Sequence, residues 1–175
     1  MEPVSLIAVT VIGHDRPGII ADATAGLAGL GLNLEDSTMT LLRGHFAMML
    51  ICRGDSSPAA VEDALAPLAA DGRLLVSARA VPDEDEPGTP GRPYALTVHG
   101  GDRPGIVSAV TRAVAEAGGN ITDLTTRLTG ELYVAVAEVD LPADADEHAV
   151  AARLREVGAD LGVGVTLRSQ ETDVL

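Results

Sequence analysis

The chain has 175 residues, with 12 basic side chains against 26 acidic ones and a formal charge of −14; every basic residue is an arginine. Nucleic-acid affinity comes largely from Lys and Arg displacing phosphate counterions, so an acidic chain with 2% aromatics and no basic stripe excludes direct DNA or RNA binding. The absence of lysine removes Schiff-base chemistry and the phosphate-loop lysine, and no apolar run is long enough to span a membrane.

The elements follow from periodicity. Ser5 to Ile12 alternates, with Ile7, Val9 and Val11 on one face and Ala8 and Thr10 on the other, which predicts a strand whose first face lies under helices. A helix is expected from Pro17, a residue favoured at the first helical position, with Ile19, Ala23, Leu27 and Leu30 at helical spacing and Gly31 as its stop. Strands Asn33 to Leu42 and His45 to Cys52 follow, turning at Arg43–Gly44. Ser57–Pro58 opens a second helix with Val61, Leu65 and Leu68 inward, which Pro67 should kink or shorten, and Arg73 to Val81 reads as a strand. Met39, Met48 and Met49 read as packing residues.

Pro82 to Pro93, PDEDEPGTPGRP, is acidic and rich in Pro and Gly, and reads as a linker. The whole pattern then repeats. Tyr94, Leu96 and Val98 match the first strand, with Ala95 and Thr97 opposite; Ile106, Val110, Val114 and Ala117 match the first helix, which Gly118–Gly119 ends. Asn120 to Thr129 and Glu131 to Val139 form the second hairpin around Gly130, expected to be one residue shorter than the first. A helix starting near Asp144 carries Val150, Leu154, Val157 and Leu161, and Val163 to Arg168 closes the copy.

GHDRPGII at Gly13 returns as GGDRPGIV at Gly100, and the offset stays constant: 102 minus 15, 105 minus 18 and 120 minus 33 all equal 87. A fixed offset through loop, helix and strand means a duplicated domain. The expected division is residues 1–81, linker 82–93 and residues 94–175. Each copy reads βαββαβ, which with right-handed crossovers gives an α+β fold: two tandem ferredoxin-like domains, each an antiparallel sheet covered on one face by helices. Domains of about 80 residues are marginal alone, so the copies are expected to pack on each other or on another subunit, as in a homodimer.

The repeated loop has chemistry. At Asp15-Arg16-Pro17-Gly18-Ile19 the chain leaves a strand and enters a helix, so the N–H groups of Gly18 and Ile19 lack intrahelical partners and sit at the positive end of the helix dipole. Such a site takes a carboxylate or phosphate. Asp15 offers an acceptor for an ammonium group, and Asn33 at the next strand offers donor and acceptor. Asp102, Gly105, Ile106 and Asn120 repeat the set. Together these groups complement a free α-amino acid; the same residues also serve as an ordinary cap and turn. Only the first loop carries an imidazole, His14, replaced by Gly101 in the second. The four histidines are scattered and Cys52 is alone, so no metal set assembles, and no cofactor motif is present.

The pattern D-R-P-G-I-[IV], an Ala-rich helix and then G-x-N-[LI]-x-D resembles the ACT domain, a regulatory module that binds small molecules, over both copies. The tandem arrangement is similar to the glycine cleavage system transcriptional repressor family. That resemblance implies amino-acid binding at the strand 1–helix 1 loop, usually where two ACT domains pair side by side, with Asp15 and Asp102, Gly18 and Gly105, and Asn33 and Asn120 in the family's binding positions. Some members carry Asn where Asp15 stands and His where Gly13 stands, a departure that leaves the identity of the ligand open and the backbone anion site intact. No nucleophile with a paired His, dinucleotide fingerprint or metal motif points to an enzyme. The expected protein is a non-catalytic regulator that binds an amino acid or similar small carboxylate and signals to a partner protein through altered domain pairing. The alternative is a ligand-free interaction subunit. With MEPVS lacking the form of a secretory signal and only Cys52 as a thiol, a cytoplasmic location is expected.

Overall fold

A computed structural model describes residues 5–83 and 91–170. The chain divides into two compact units. The first holds β1 (Ser5–His14), α1 (Ile19–Gly29), β2 (Asn33–Leu42), β3 (His45–Gly54), α2 (Pro58–Ala69) and β4 (Leu74–Val81). The second holds β5 (Arg92–Gly101), α3 (Ile106–Glu116), β6 (Asn120–Thr129), β7 (Leu132–Leu141), α4 (Glu147–Leu161) and β8 (Val163–Ser169). The sheets are antiparallel, ordered β2-β3-β1-β4 and β6-β7-β5-β8. This is the tandem ferredoxin-like arrangement that the alternation implies. Most of the expected linker, residues 84–90, lies outside the described residues; its last two, Arg92 and Pro93, already belong to β5.

Apolar burial on one sheet face drives each unit. Ile7, Val9 and Val11 are wholly buried under Ile19, Ala23 and Leu27 of α1 and Val61, Leu65 and Leu68 of α2. Tyr94, Leu96 and Val98 lie under Ile106, Val110 and Val114 of α3 and Val150 and Leu154 of α4. Each such aliphatic side chain contributes about 1.5–3 kcal/mol by leaving water. Of Met39, Met48 and Met49, only Met48 is core; Met39 and Met49 are 45% and 40% exposed. Ala8, on the opposite face, is nonetheless buried, because larger side chains of the same sheet surround its methyl.

Local chemistry sets the ends. Ser57 caps α2 by accepting from the Ala60 N–H at 3.1 Å, and Asp146 caps α4 by accepting from the His148 and Ala149 N–H groups, so α4 starts at Glu147, three residues later than the Asp144 start expected. The helix passes through Pro67 and stops two residues on, at Ala69. The two hairpins are equal in length, not one residue different. Arg43–Gly44 and Gly130–Glu131 are both two-residue turns, and Arg43 (φ 51), Gly44 (φ 83) and Gly130 (φ 62) supply the positive φ that tight hairpin turns require. Both units share a β-bulge, between Leu34 and Asp36 and between Ile121 and Asp123.

Candidate functional site

The helices begin at Ile19 and Ile106, two residues after the prolines. Pro17 and Pro104 belong to a turn, and the residue before each helix is a left-handed glycine, Gly18 at φ 92 and Gly105 at φ 91. An L residue there costs about 1–2 kcal/mol. Glycine therefore does conformational work at this corner, besides leaving the backbone uncovered.

No side chain caps α1 or α3. Asp15 and Asp102 are exposed, and their carboxylates accept nothing from the helix start, so the cap reading of these residues is withdrawn. The Asp15 N–H donates to the Gly44 carbonyl at 3.1 Å, and the His14 N–H to the Arg73 carbonyl at 3.0 Å, which ties the loop to the hairpin turn and to β4. Among the described residues nothing accepts from the N–H groups of Gly18, Ile19, Gly105 or Ile106. Each loop thus presents two free N–H donors at the positive end of a helix beside a free carboxylate.

Asn33 and Asn120 do not join this site. β1 ends at the loop, and β3 runs back antiparallel, so His14 faces His45 while Leu6 faces Arg53. Asn33 pairs with Arg53, at the far end of the sheet, and Asn120 pairs with Asp140 in the same position. Eight residue steps of strand separate the two ends, roughly 26 Å at 3.3 Å per residue. The spacing between Asp15 and Asn33 hid this, because a helix of 11 residues returns the chain to the opposite sheet edge before β2 begins. A single amino acid cannot touch both within one unit.

The Asn33 end has its own electrostatics. The Arg53 guanidinium donates to Glu35 at 2.6 Å and to Asp83 at 2.7 and 3.0 Å. These bonds push the Arg53 pKa up and hold the Asp83 carboxyl below its usual range. Here the pairing is local and mostly solvated, with little net worth. Cys52 is buried in the first core, and desolvation raises its thiol pKa, which disfavours the thiolate. His99 is exposed on the open face of the second sheet, its ring over Gly164. The described residues contain no group of three or more His, Cys, Asp or Glu placed to hold a metal, and no helix among them is long and apolar enough to cross a membrane.

Sequence reasoning missed Gly13 and Gly100. A methyl group on Gly13 would stand 2.0 Å from the Arg73 carbonyl oxygen, and one on Gly100 would stand 2.8 Å from Val163. The start of the last strand crosses so close to the loop that only glycine fits. This explains why no imidazole occupies the position.

Comparison with known proteins agrees with this fold. The ACT domain model matches residues 5–79 and 94–168. The chain is 43% identical over 49 residues to a UPF0237 protein of Streptococcus mutans, a stretch covering 28% of this chain and 56% of that one. It thus spans about half the length of such short relatives. Against the Escherichia coli glycine cleavage system transcriptional repressor it is 25% identical over 179 residues, covering 95% of this chain and 93% of the repressor. A crystal structure of an unknown protein from Galdieria sulphuraria superposes with a TM-score of 0.78 at 29% identity, over 95% of this chain and 99% of that one. With two matched copies spanning most of its length, the chain belongs to the ACT domain family, as a tandem-ACT protein related to a transcriptional repressor.

Proposed function

We propose that the chain is a non-catalytic regulator that takes a small ligand, an amino acid or similar small carboxylate, at its β1–α1 and β5–α3 loops. One observation carries this: both loops combine two free helix-start N–H groups at a left-handed glycine with an uncommitted Asp carboxylate. The N–H pair complements the ligand carboxylate, and Asp15 or Asp102 complements its ammonium group. Micromolar affinity needs about −8 kcal/mol, and charge-assisted hydrogen bonds of about 1.5–3 kcal/mol each supply a large part. Asn33 and Asn120 stand outside the loop site of their own unit.

The ligand signals by preferring one pairing state of ACT units over another, since equal affinity would shift nothing. A partner protein reads that state. The E. coli relative is a transcriptional repressor; at a charge of −14 this chain would act on transcription through a protein and not by touching DNA. The test is calorimetric titration with the proteinogenic amino acids, beside Asp15→Ala and Asp102→Ala. Micromolar heat weakened tenfold or more by either substitution supports the reading.

A second reading, a ligand-free interaction subunit, is favoured by the open face of the first sheet. There Ile12, Met49 and Leu75 are 50%, 40% and 69% exposed, an apolar surface suited to a protein partner. Silence across the amino-acid panel would favour that reading.

A further inference from the structure

The histidines look scattered along the chain, yet the first sheet sets two of them against each other. β1 and β3 run antiparallel, and the last pair in their register is His14 facing His45. Backbone hydrogen bonds decide what kind of pair this is. The Asp15 N–H donates to the Gly44 carbonyl, on the β3 side, whereas the His14 N–H turns the other way, to the Arg73 carbonyl on the β4 side. His14 and His45 therefore form the non-hydrogen-bonded kind of antiparallel pair, in which facing side chains stand closest. Their Cβ atoms lie about 4.5–5.5 Å apart.

Both rings project from the same face. Thr10 and Ile12 precede His14 at period two, Ala47 and Met49 follow His45, and the alternate residues Val11, Phe46 and Met48 are the buried ones. The pair consequently stands on the open sheet face, with both histidines exposed. Among the described residues no group hydrogen-bonds either imidazole. An imidazole nitrogen bonds a divalent transition metal at about 2.0–2.1 Å, so two nitrogens on one ion sit roughly 3 Å apart. Imidazoles on facing Cβ atoms reach that spacing through ordinary side-chain rotations.

Leu42 faces His45 from β2, so that side of the pair is apolar. Two cations, Arg43 and Arg73, belong to this end of the sheet, matched by Asp15 and by Asp71, whose carboxylate accepts from the Arg73 N–H at 2.9 Å. The charge of −14 on the whole chain draws cations to the surface. The second unit has no such pair. Positions 14 plus 87 and 45 plus 87 are Gly101 and Leu132, which face each other in the same register. His99 faces Val134, and His148 lies on α4.

We infer that His14 and His45 together bind one divalent transition-metal ion at the loop end of the first sheet. The described residues add no third His, Cys, Asp or Glu to the pair, so water completes the coordination. Two imidazoles select copper(II), nickel(II) and zinc over magnesium and calcium, with copper(II) bound tightest. This site does not depend on the amino-acid reading above.

The test is calorimetric titration of the full chain with copper(II), nickel(II), zinc and magnesium chlorides in separate runs, beside H14A, H45A, H99A and the double variant G101H/L132H. His14, His45, His99 and Leu132 are exposed, and a side chain at Gly101 would meet nothing within 4 Å, so these changes leave the cores alone. The expected result is one tight copper(II) ion per chain and no tight magnesium. Binding should weaken tenfold or more in H14A and in H45A, because the second imidazole is held at high effective concentration. H99A should bind as the parent does. G101H/L132H should carry two ions, and electron paramagnetic resonance of the parent's copper(II) complex should show two nitrogen ligands. Parent-like affinity in H14A or H45A, a single ion in G101H/L132H, magnesium bound as tightly as copper(II), or no heat from copper(II) would overturn the inference.

Discussion

Replacing Gly105 probes the corner on which the site is built. Its φ of 91 and ψ of −2 place it in the left-handed region, and no atom lies within 4 Å of where a methyl group would project. Steric overlap therefore contributes nothing, and the cost of Gly105→Ala is the backbone penalty alone, about 1–2 kcal/mol. For a domain of this size each kcal/mol lowers the melting temperature by roughly 4–8 °C, so the second unit should melt about 5–15 °C lower. Asn tolerates this conformation better than Ala, and a β-branched residue worse. The expected stability order is thus Gly, Asn, Ala, Val, read by differential scanning calorimetry with the first unit as internal reference. A Gly105→Ala protein melting with the parent, or Val equal to Asn, would refute the left-handed assignment and the free N–H pair that depends on it.

The same coordinates set further expectations. Gly13→Ala brings a methyl group against the Arg73 carbonyl and should cost about 3 kcal/mol through forced backbone movement, read as a lower urea midpoint. Leu50→Ala empties a fully buried position and should cost about 2–5 kcal/mol; a loss under 1 kcal/mol would mean that the first core is not packed around it. Desolvation raises the Cys52 and Tyr94 pKa values above 9.0 and 10.0, and Glu147 adds to the Tyr94 shift by accepting its hydrogen bond at 3.0 Å. Both groups hold their protons more tightly folded than unfolded, so their contribution is complete below those values and is lost as pH rises past them. Alkaline unfolding should therefore shift to higher pH in a Cys52→Ala, Tyr94→Phe double variant, and an unchanged alkaline midpoint would contradict the burial of these groups.

Most of the fold was legible because period-two and helical spacing follow directly from which side chains must leave water. Ile7, Val9, Val11 and their counterparts Tyr94, Leu96 and Val98 declared the buried face, and duplication doubled every signal. The site was legible as a loop but not as a constellation. Asp15 and Asn33 are close in sequence yet at opposite ends of the sheet, a separation set by the direction in which α1 returns the chain. The proline marked the helix start two residues early because a left-handed glycine, invisible to spacing rules, takes the last turn before Ile19. Gly13 and Gly100 looked like loop glycines, and only packing against Arg73 and Val163 reveals their necessity.

The claim that the helix-start loops bind amino acids is tested most directly by backbone amide chemical shifts. With ¹⁵N-labelled full-length protein titrated with the proteinogenic amino acids, the amides of Gly18 and Ile19 or of Gly105 and Ile106 should move downfield saturably. Amides that stay in place at millimolar amino acid, or shifts confined to the open sheet face, would contradict it.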